Sequence, residues 1–575
     1  MLNFYDFEVF KEDWLVVIIN PILEEKTVIV NDREKLYYYY TKHNNEIWVG
    51  YNSSNYDQYL IKGLLLNYNA KKINDWIIVD GFKGYQIDRN FNQIRLYNYD
   101  VMSKRESLKT LEGFMGNDIQ ETSVPFDIDR KLTDEELQEV IKYCTHDVEQ
   151  TMEVFLKRES EFNAQTDLIR TFNLPMGLIG LTQARLAANI LKARKKRLYD
   201  EWNIRLPETL KLDKYKNIAD WFITKTNHFP DTKLNCEVSG VPHVFGWGGL
   251  HGAREKYNYT CKDDELFVMA DVDQLYPTLM VKYGLLSRAI KAPELFSNIL
   301  ETSLRLKAEK KKKEREPYKR ICNITYGAMG DEYNPLYDPL HRKLVCVYGQ
   351  VLLVDLLEKI EPFTELIQSN TDGILIKIKR KDFDLLDDTV FEWEERTGLK
   401  MSFDFYKKII QKDVNNYVAV DLNGEMKRKG GYVKELDDLD NDLPIVNEAV
   451  VNFLTTGQKV EKTINDCNDL KMFQKIVKLS SKYKYAYHNG KKLNEKVFRV
   501  FASKDPRDSY IGKQKMEGMT IEKFANTPDM CFIDNGEVNG KSVPPQLYKQ
   551  WYIDLAIKRV ADYGLDAKEK QPTLF

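Results

Sequence analysis

Short apolar strands that give way to amphipathic helices recur along this chain, and that alternation restricts it to layered α/β architectures. Leu2 to Phe10, Trp14 to Ile19 and Thr27 to Val30 read as strands, each bounded by polar or turn residues. A further strand over Ile47 to Tyr51 precedes helical patterning at Asp57 to Leu66, and a long helix is predicted over Asp134 to Lys157. Strand patterning returns at Leu266 to Val272, Leu344 to Val347, Thr364 to Gln368 and Ile374 to Ile378. Between Ala164 and Thr260 the pattern is broken by Pro175, Pro207, Pro230 and Pro242, which predicts a connector. From about Val414 short strands and helices rich in Lys and Tyr mix, and no internal repeat or low-complexity tract is present.

The chain has 575 residues, enough for several modules rather than one core. Lys+Arg 85 against Asp+Glu 88 leaves a formal net charge of −3, so any grip on nucleic acid must come from local basic patches. The seven cysteines are scattered without paired C-x-x-C spacing, which predicts reduced thiols and no zinc site. Met1 to Asp6 is acidic where a secretory signal is basic, and no apolar run approaches the roughly 18 residues of a membrane span. A soluble, cytoplasmic protein without membrane contact is expected.

Asp6-Phe7-Glu8 lies in the first strand, where alternation puts both carboxylates on one face, side by side. Alone, that pattern is more often a solvated face. Asn52-Ser53-Ser54-Asn55-Tyr56-Asp57 opens the next helix, and Asn52 reads equally well as its N-terminal cap. Tyr143 and Asp147 are four apart on the long helix and so share a face. D-x-E, N-x-x-x-Y-D and Y-x-x-x-D, in this order, resemble the three exonuclease motifs of proofreading B-family DNA polymerases. The resemblance implies that Asp6, Glu8, Asp57 and Asp147 hold two Mg²⁺ ions, that Tyr143 orients the attacking water, and that Asn52 touches the frayed single strand. Two metals about 3.5–4 Å apart activate a water and stabilise a leaving 3′-oxygen, and hard oxygen ligands suit Mg²⁺.

Asp271-Val272-Asp273-Gln274-Leu275-Tyr276-Pro277 follows the strand Leu266 to Ala270 and resembles the family's motif A, D-x-x-S-L-Y-P, with Gln274 for the serine. A strand end followed by a Tyr-Pro turn accounts for Pro277 alone. Lys319-Arg320-Ile321-Cys322-Asn323-Ile324-Thr325-Tyr326-Gly327 resembles motif B, with Lys319, Asn323 and Tyr326 on one helical face. Upstream, Arg305, Lys307 and Lys310 to Lys313 are expected to make a basic helix, read either as a solvated face with Glu309, Glu314 and Glu316 or as phosphate ligands, Arg305 among them. Asn370-Thr371-Asp372-Gly373 resembles motif C, whose family form is D-T-D-S, although Asn and Asp-Gly also suit an ordinary hairpin. The resemblance implies that Asp271 and Asp372 hold the polymerase metals, that Lys319 neutralises the triphosphate, that Asn323 and Tyr326 contact the nucleotide, and that Tyr276 rejects a ribose. Asn370 removes one charge, which predicts weaker metal binding. Tyr417, in Asn415-Asn416-Tyr417, stands where the family contacts the primer terminus, and Gly248 and Gly249 resemble the Y-x-G-G loop against the template, with its tyrosine missing.

Lys482-Tyr483-Lys484-Tyr485 interleaves cations with aromatics, as either an exposed strand or a phosphate grip does, and the resemblance assigns Lys482 and Lys484 to DNA. The chain ends Gln571-Pro572-Thr573-Leu574-Phe575, similar to the Q-x-x-L-F peptide that binds the bacterial β sliding clamp, through Gln571, Leu574 and Phe575.

Together these motifs resemble bacteriophage replicases of family B. The resemblance implies a ribonuclease-H-like exonuclease domain at 1–165, a connector at 166–260, palm at 261–299 and 336–413, fingers at 300–335, thumb at 414–566 and a tail at 567–575. Short spacings from Asp271 to Lys319 and from Asn323 to Asp372 leave no room for protein-priming insertions, so an ordinary nucleic-acid primer is expected. The implied partners are primer-template DNA and deoxynucleoside triphosphates, acting with Mg²⁺ (two per site, Mn²⁺ able to substitute), in a monomer within the cytoplasm of an infected bacterium. Two rivals remain: an exonuclease whose polymerase site has decayed through Asn370, and a non-catalytic DNA-binding factor.

Overall fold

A computed structural model describes residues 1–102 and 106–567. The chain divides into two compact units, one formed by Met1–Gly180, Leu436–Val446 and Glu461–Asp554, the other by Leu181–Glu435, Asn447–Val460 and the chain from Leu555. Both are mixed α/β. Among the described residues no helix is long and apolar enough to cross a membrane, and the seven cysteines are free thiols.

The first unit begins with strands β1 (Leu2–Val9), β2 (Trp14–Asn20), β3 (Glu25–Val30), β4 (Ile47–Gly50) and β5 (Tyr97–Asp100), in the sheet order β3-β2-β1-β4-β5. The β1–β2 and β2–β3 pairs are antiparallel, and β1–β4 and β4–β5 are parallel. Helices α1 (Arg33–His43), α2 (Asp57–Leu65), α3 (Leu108–Met115) and α4 (Asp134–Lys157) accompany this sheet. Alternation along β1 splits its side chains between two cores. Tyr5 and Phe7 pack with Trp48, Leu60 and Ile61, whereas Phe4 packs with Val140, Cys144, Val148 and Phe155 of α4. Asp6 and Glu8, sharing the face of Phe4, are thereby aimed at α4. The helix starts on a capping box, in which Thr133 accepts from Glu136 N and the Glu136 side chain returns to the backbone of Thr133.

The second unit is built on strands β6 (Lys233–Val238), β7 (Val241–Gly246), β8 (Gly249–Ala253), β9 (Tyr257–Thr260) and β10 (Glu265–Val272), and on helices α5 (Leu275–Lys282), α6 (Pro293–Ala308), α7 (Lys312–Ala328) and α8 (Pro339–Ile360). Strands β11 (Thr364–Ser369) and β12 (Gly373–Lys379), helix α9 (Phe383–Thr397) and strands β13 (Met401–Asp413), β14 (Asn416–Asp421) and β15 (Met426–Lys429) complete it. The sheet order is β15-β14-β13-β10-β12-β11-β8-β7-β6, with β9 paired to β13. The stretch expected to be a connector contributes helices Gln183–Ile190 and Lys216–Ile223 and the hairpin strands β6 to β8.

Three local expectations are corrected. Leu344 to Val347 is not a strand but part of α8, which is buried almost all round, including Leu344, Val345, Cys346 and Val347. A helix buried on every side loses the polar face that reveals its period, so a short apolar run there imitates a strand. The basic helix is two helices: α6 ends at Ala308 and α7 starts at Lys312, with Lys310 at φ 58° between them. The consecutive cations Lys310 to Lys313 repel one another within one turn, and the break separates them. Asn52 is not a helix cap; Tyr56 holds that position for α2, and Asn52 lies in the preceding turn at φ 58°, a conformation Asn tolerates.

Residues 461–554 return to the first unit with two small sheets. Strands β16 (Lys475–Lys478), β19 (Val497–Ala502) and β22 (Cys531–Ile533) form one. Strands β17 (Tyr483–His488), β18 (Lys491–Leu493), β20 (Gly512–Lys515) and β21 (Ile521–Lys523) form the other, in the order β18-β17-β20-β21.

Helix α8 is tied to α9 by a buried ion pair that underlies the second unit's sheet. Arg396 reaches both oxygens of the fully buried Asp355 at 2.9 and 2.8 Å, and Asp355 also accepts from Lys211 N at 2.7 Å. Removing one member leaves a charge in a site without water. Asp355→Ala is expected to lower the unfolding free energy of this unit by about 3–5 kcal/mol, read as a drop in the urea midpoint; an unchanged midpoint would mean that Arg396 finds another partner.

Candidate active sites

The first unit carries a carboxylate cluster where β1, α2 and α4 converge. Asp6 and Glu8 point from β1, Asp57 is the first residue of α2, and Tyr143 and Asp147 lie one turn apart on α4. Ligand atoms of Asp6, Glu8 and Cys144 fall within 4.8 Å of one another, as do those of Glu112, His146 and Asp147. Burial raises the carboxyl of Asp6, and repulsion from Asp57, Glu8 and Asp147 adds to it while Lys109 opposes. Glu8 is raised by burial and by Asp147 and Asp57. Burial pushes Asp57 up to about 7, and its Oδ1 is buried without a partner. Asp147 is raised by burial against the pull of Lys109. Burial keeps the Tyr143 phenol protonated, and it hydrogen-bonds Asp147.

Mutually repelling carboxylates, one with an orphaned oxygen, suit a hard divalent cation, which neutralises them and restores their lost solvation. Cys144 does not belong to that set. Its thiol is held protonated by burial and donates to Asp6 O at 3.4 Å, and sulfur is a poor ligand for such an ion. Asn52 is exposed on the turn above Asp57, its Oδ1 accepting from Asn55 Nδ2 at 2.8 Å. Asp100 anchors the same turn by accepting from Ser54 N at 3.0 Å.

Sequence reasoning missed Lys109. From α3 its Nζ donates to Asp147 Oδ1 at 2.5 Å and to the fully buried Glu112 Oε1 at 3.0 Å, 4.8 Å from the centre of the Tyr143 ring. The available signal is a Lys–Glu pair three apart on an otherwise apolar helix, too common to single out.

The second unit carries a cavity of about 760 Å³ lined by residues of helices α5, α6, α7 and α8 and of the loops at the sheet's edge. Asp271 closes β10, opposite Gly373 of β12 on one side and Ser402 of β13 on the other. Val272 N donates to Asp372 O at 2.8 Å, which sets the two acids beside each other. The Asp271 carboxyl is raised by burial; Lys427 opposes, and Asp372, Asp404 and Asp273 reinforce. Asn370 Oδ1 accepts from Asp372 N at 3.2 Å, and Asn370 N donates to Gly373 O at 2.9 Å, so the asparagine holds the turn that presents Asp372. A Cβ on Gly373 would lie 1.9 Å from Asp271 Oδ1, and one on Gly249, at φ 142°, would lie 2.8 Å from Thr371 Oγ1. Gly373 therefore permits the close approach of Asp271 and Gly249 that of Thr371, next to Asp372, and Gly248 lines the cavity.

Lys319, Asn323 and Tyr326 of α7 line the cavity together with Lys307, one of the upstream cations expected to meet phosphate, and with Arg315 and Arg342, which sequence reasoning did not single out. Tyr276 packs on Tyr326 with ring centres 4.0 Å apart, and Arg342 lies 5.7 Å over the Tyr326 ring. Lys307 pairs with Asp273. Arg305 is not among the lining residues; it is exposed and bound to Glu309 at 2.8 Å. Tyr417 is buried in the sheet, hydrogen-bonded to Gln368 and close to both acids. Lys482 and Lys484 are exposed in the first unit, at and beside β17, with Lys484 Nζ 5.3 Å from the Tyr485 ring centre. Gln571, Leu574 and Phe575 lie outside the described residues.

No family model and no curated protein matches this chain. A solved structure that is similar is the family B DNA polymerase from the hyperthermophilic archaeon Pyrobaculum calidifontis, over 100% of this chain and 78% of that one, at 15% identity and a TM-score of 0.44.

The elevated Asp57 gives a pH signature. A carboxyl whose folded-state pKa lies above its unfolded value contributes stability that is complete below about pH 4 and is lost as pH rises through about 7. In a chelator, the first unit of the wild type is expected to fall relative to Asp57→Asn by a few kcal/mol between about pH 4 and pH 7, and to recover on adding Mg²⁺ at pH 8. Thermal unfolding at stepped pH checks this, and parallel curves for the two proteins would contradict it.

Proposed function

We propose that the chain is a template-directed DNA polymerase that extends a nucleic-acid primer and carries its own 3′→5′ exonuclease. The observation that supports it best is the second unit's cavity, lined by Asp372, with Asp271 next to it in the adjoining strand, and by Lys307, Arg315, Lys319 and Arg342. Acids and cations facing one another across a single space suit a metal-bound triphosphate better than a neutral ligand or a bare anion. Mg²⁺ bound by Asp271 and Asp372 would supply the charge that lowers the pKa of the primer 3′-hydroxyl and stabilises the departing pyrophosphate. Lys319 and Arg315 neutralise the triphosphate, and Asn323 positions it. Tyr276, packed against Tyr326, forms a floor under the sugar that crowds a 2′-hydroxyl. Gly248 and Gly249 let backbone approach the template, and Tyr417 braces the acids from within the sheet.

In the first unit, Asp6, Glu8, Asp57 and Asp147 would hold the same ion for phosphodiester hydrolysis. The Tyr143 hydroxyl orients the attacking water, and Lys109 fixes Asp147. Asn52, exposed beside Asp57, contacts the single strand, and Lys482 and Lys484 grip phosphates. The reading extends to an exonuclease at 1–165, palm, fingers and thumb over 261–566, and clamp tethering through Gln571, Leu574 and Phe575. The physiological setting that goes with it is bacteriophage DNA replication in the host cytoplasm.

Primer extension on a primed template with Mg²⁺ tests both halves. Asp271→Ala is expected to lose extension on the order of 1,000-fold while still shortening the primer, and Asp6→Ala the reverse. Shortening without any extension by the wild type would leave a nuclease alone. Because Asn370 already shapes the turn, Asn370→Asp should restore a charge without disturbing Asp372 and lower the Mg²⁺ concentration for half-maximal extension. A higher requirement would show that the asparagine is matched to this site.

A further inference from the structure

Helix α3 brings Lys109 and Glu112 to the carboxylate cluster from its first turn and a half, yet its other end is held by residues from the far end of the sequence. Arg499 on β19 is fully buried. Its Nη2 donates to Gly113 O at 3.2 Å and Asn117 O at 2.7 Å, and reaches Glu112 O at 3.4 Å. Its Nη1 donates to Gly536 O at 2.5 Å and its Nε to Gln474 Oε1 at 3.1 Å. Gln474 in turn donates to Phe114 O at 3.0 Å. The last carbonyls of a helix lack partners within it and form the negative end of its dipole. Here consecutive carbonyls, those of Glu112, Gly113 and Phe114, receive donors from outside, where Gly116 at φ 84° ends the helix. The seat is tight, since a Cβ on Gly113 would meet Ile476 at 3.0 Å.

We infer that Arg499 is a positioning residue of the exonuclease site: it fixes the carbonyl end of α3 and so sets where Lys109 meets Glu112 and Asp147. The inference rests on the exonuclease reading above. Helix α3 is two turns long, and a helix this short moves as a rigid body, so a slip at its end carries Lys109 away from Asp147. The planar guanidinium suits this task because it presents several donors in one fixed fork, which an ammonium cannot reproduce.

The test is single-strand degradation of a short oligonucleotide with Mg²⁺ by the full-length wild type, Arg499→Lys, Lys109→Met and the double variant. Arg499→Lys is expected to lower kcat roughly 10–100-fold with KM nearly unchanged, and to cause no further loss in the Lys109→Met background, because both act through one contact. An unchanged kcat in Arg499→Lys, or an equal loss in both backgrounds, would overturn the inference. If Arg499→Lys does not fold, Gln474→Met, which removes the Nε acceptor and the Phe114 donor, is judged by the same dependence on Lys109. A wild type that degrades nothing removes the exonuclease reading itself, and a wild type that degrades normally while the variants match it removes only the role of Arg499.

Discussion

Like charges crowded together are the constraint around which the carboxylate clusters of both units are arranged, buried in the first unit and partly open in the second. A buried carboxylate beside another is costly unless a cation stands between them. The first unit meets that cost in part with its own ammonium, Lys109 on Asp147 and Glu112, and leaves Asp6, Glu8 and Asp57 with raised pKa values and an orphaned oxygen. In the second unit the charge of Lys427 opposes the rise of the Asp271 carboxyl. The carboxylates of the first unit are therefore ones whose mutual repulsion a divalent cation would relieve.

The scaffolding follows from this need. Strand β1 can hold two acids side by side only because Tyr5 and Phe7 on its reverse face pack into a separate core. Asp271 can lie against the β11–β12 turn only because Gly373 has no side chain to displace its carboxylate. The helix α8 is buried almost all round, and Asp355 is held in it by Arg396 as a matched partner.

Sequence alone exposed the parts governed by local periodicity. The two-residue period of β1 placed Asp6 and Glu8 on one face, and the four-residue spacing placed Tyr143 and Asp147 together on α4. It misread Leu344 to Val347 because a fully buried helix has no polar stripe to betray its period. It left open a capping role for Asn52 beside contact with the single strand, and the cap position belongs to Tyr56, because a turn of several residues intervenes between β4 and α2. Of the upstream cations it named for phosphate, Lys307 lines the cavity and Arg305 does not, while Arg315 and Arg342 were not named, since which side of a basic segment faces inward depends on the break at Lys310. Lys109 and Arg499 were invisible for another reason: each matters only through a residue distant in sequence.

The central claim is that Asp271 and Asp372 hold the ions for nucleotide addition, with Asp6, Glu8, Asp57 and Asp147 forming a separate metal site. Anomalous diffraction at the manganese edge, from crystals grown with primer-template and a non-hydrolysable deoxynucleotide analogue, tests it most directly. The account predicts manganese between Asp271 and Asp372 with the triphosphate against Lys319, and manganese at the Asp6 cluster. A nucleotide bound away from the Asp271 cavity, with no manganese between those two acids, would contradict it.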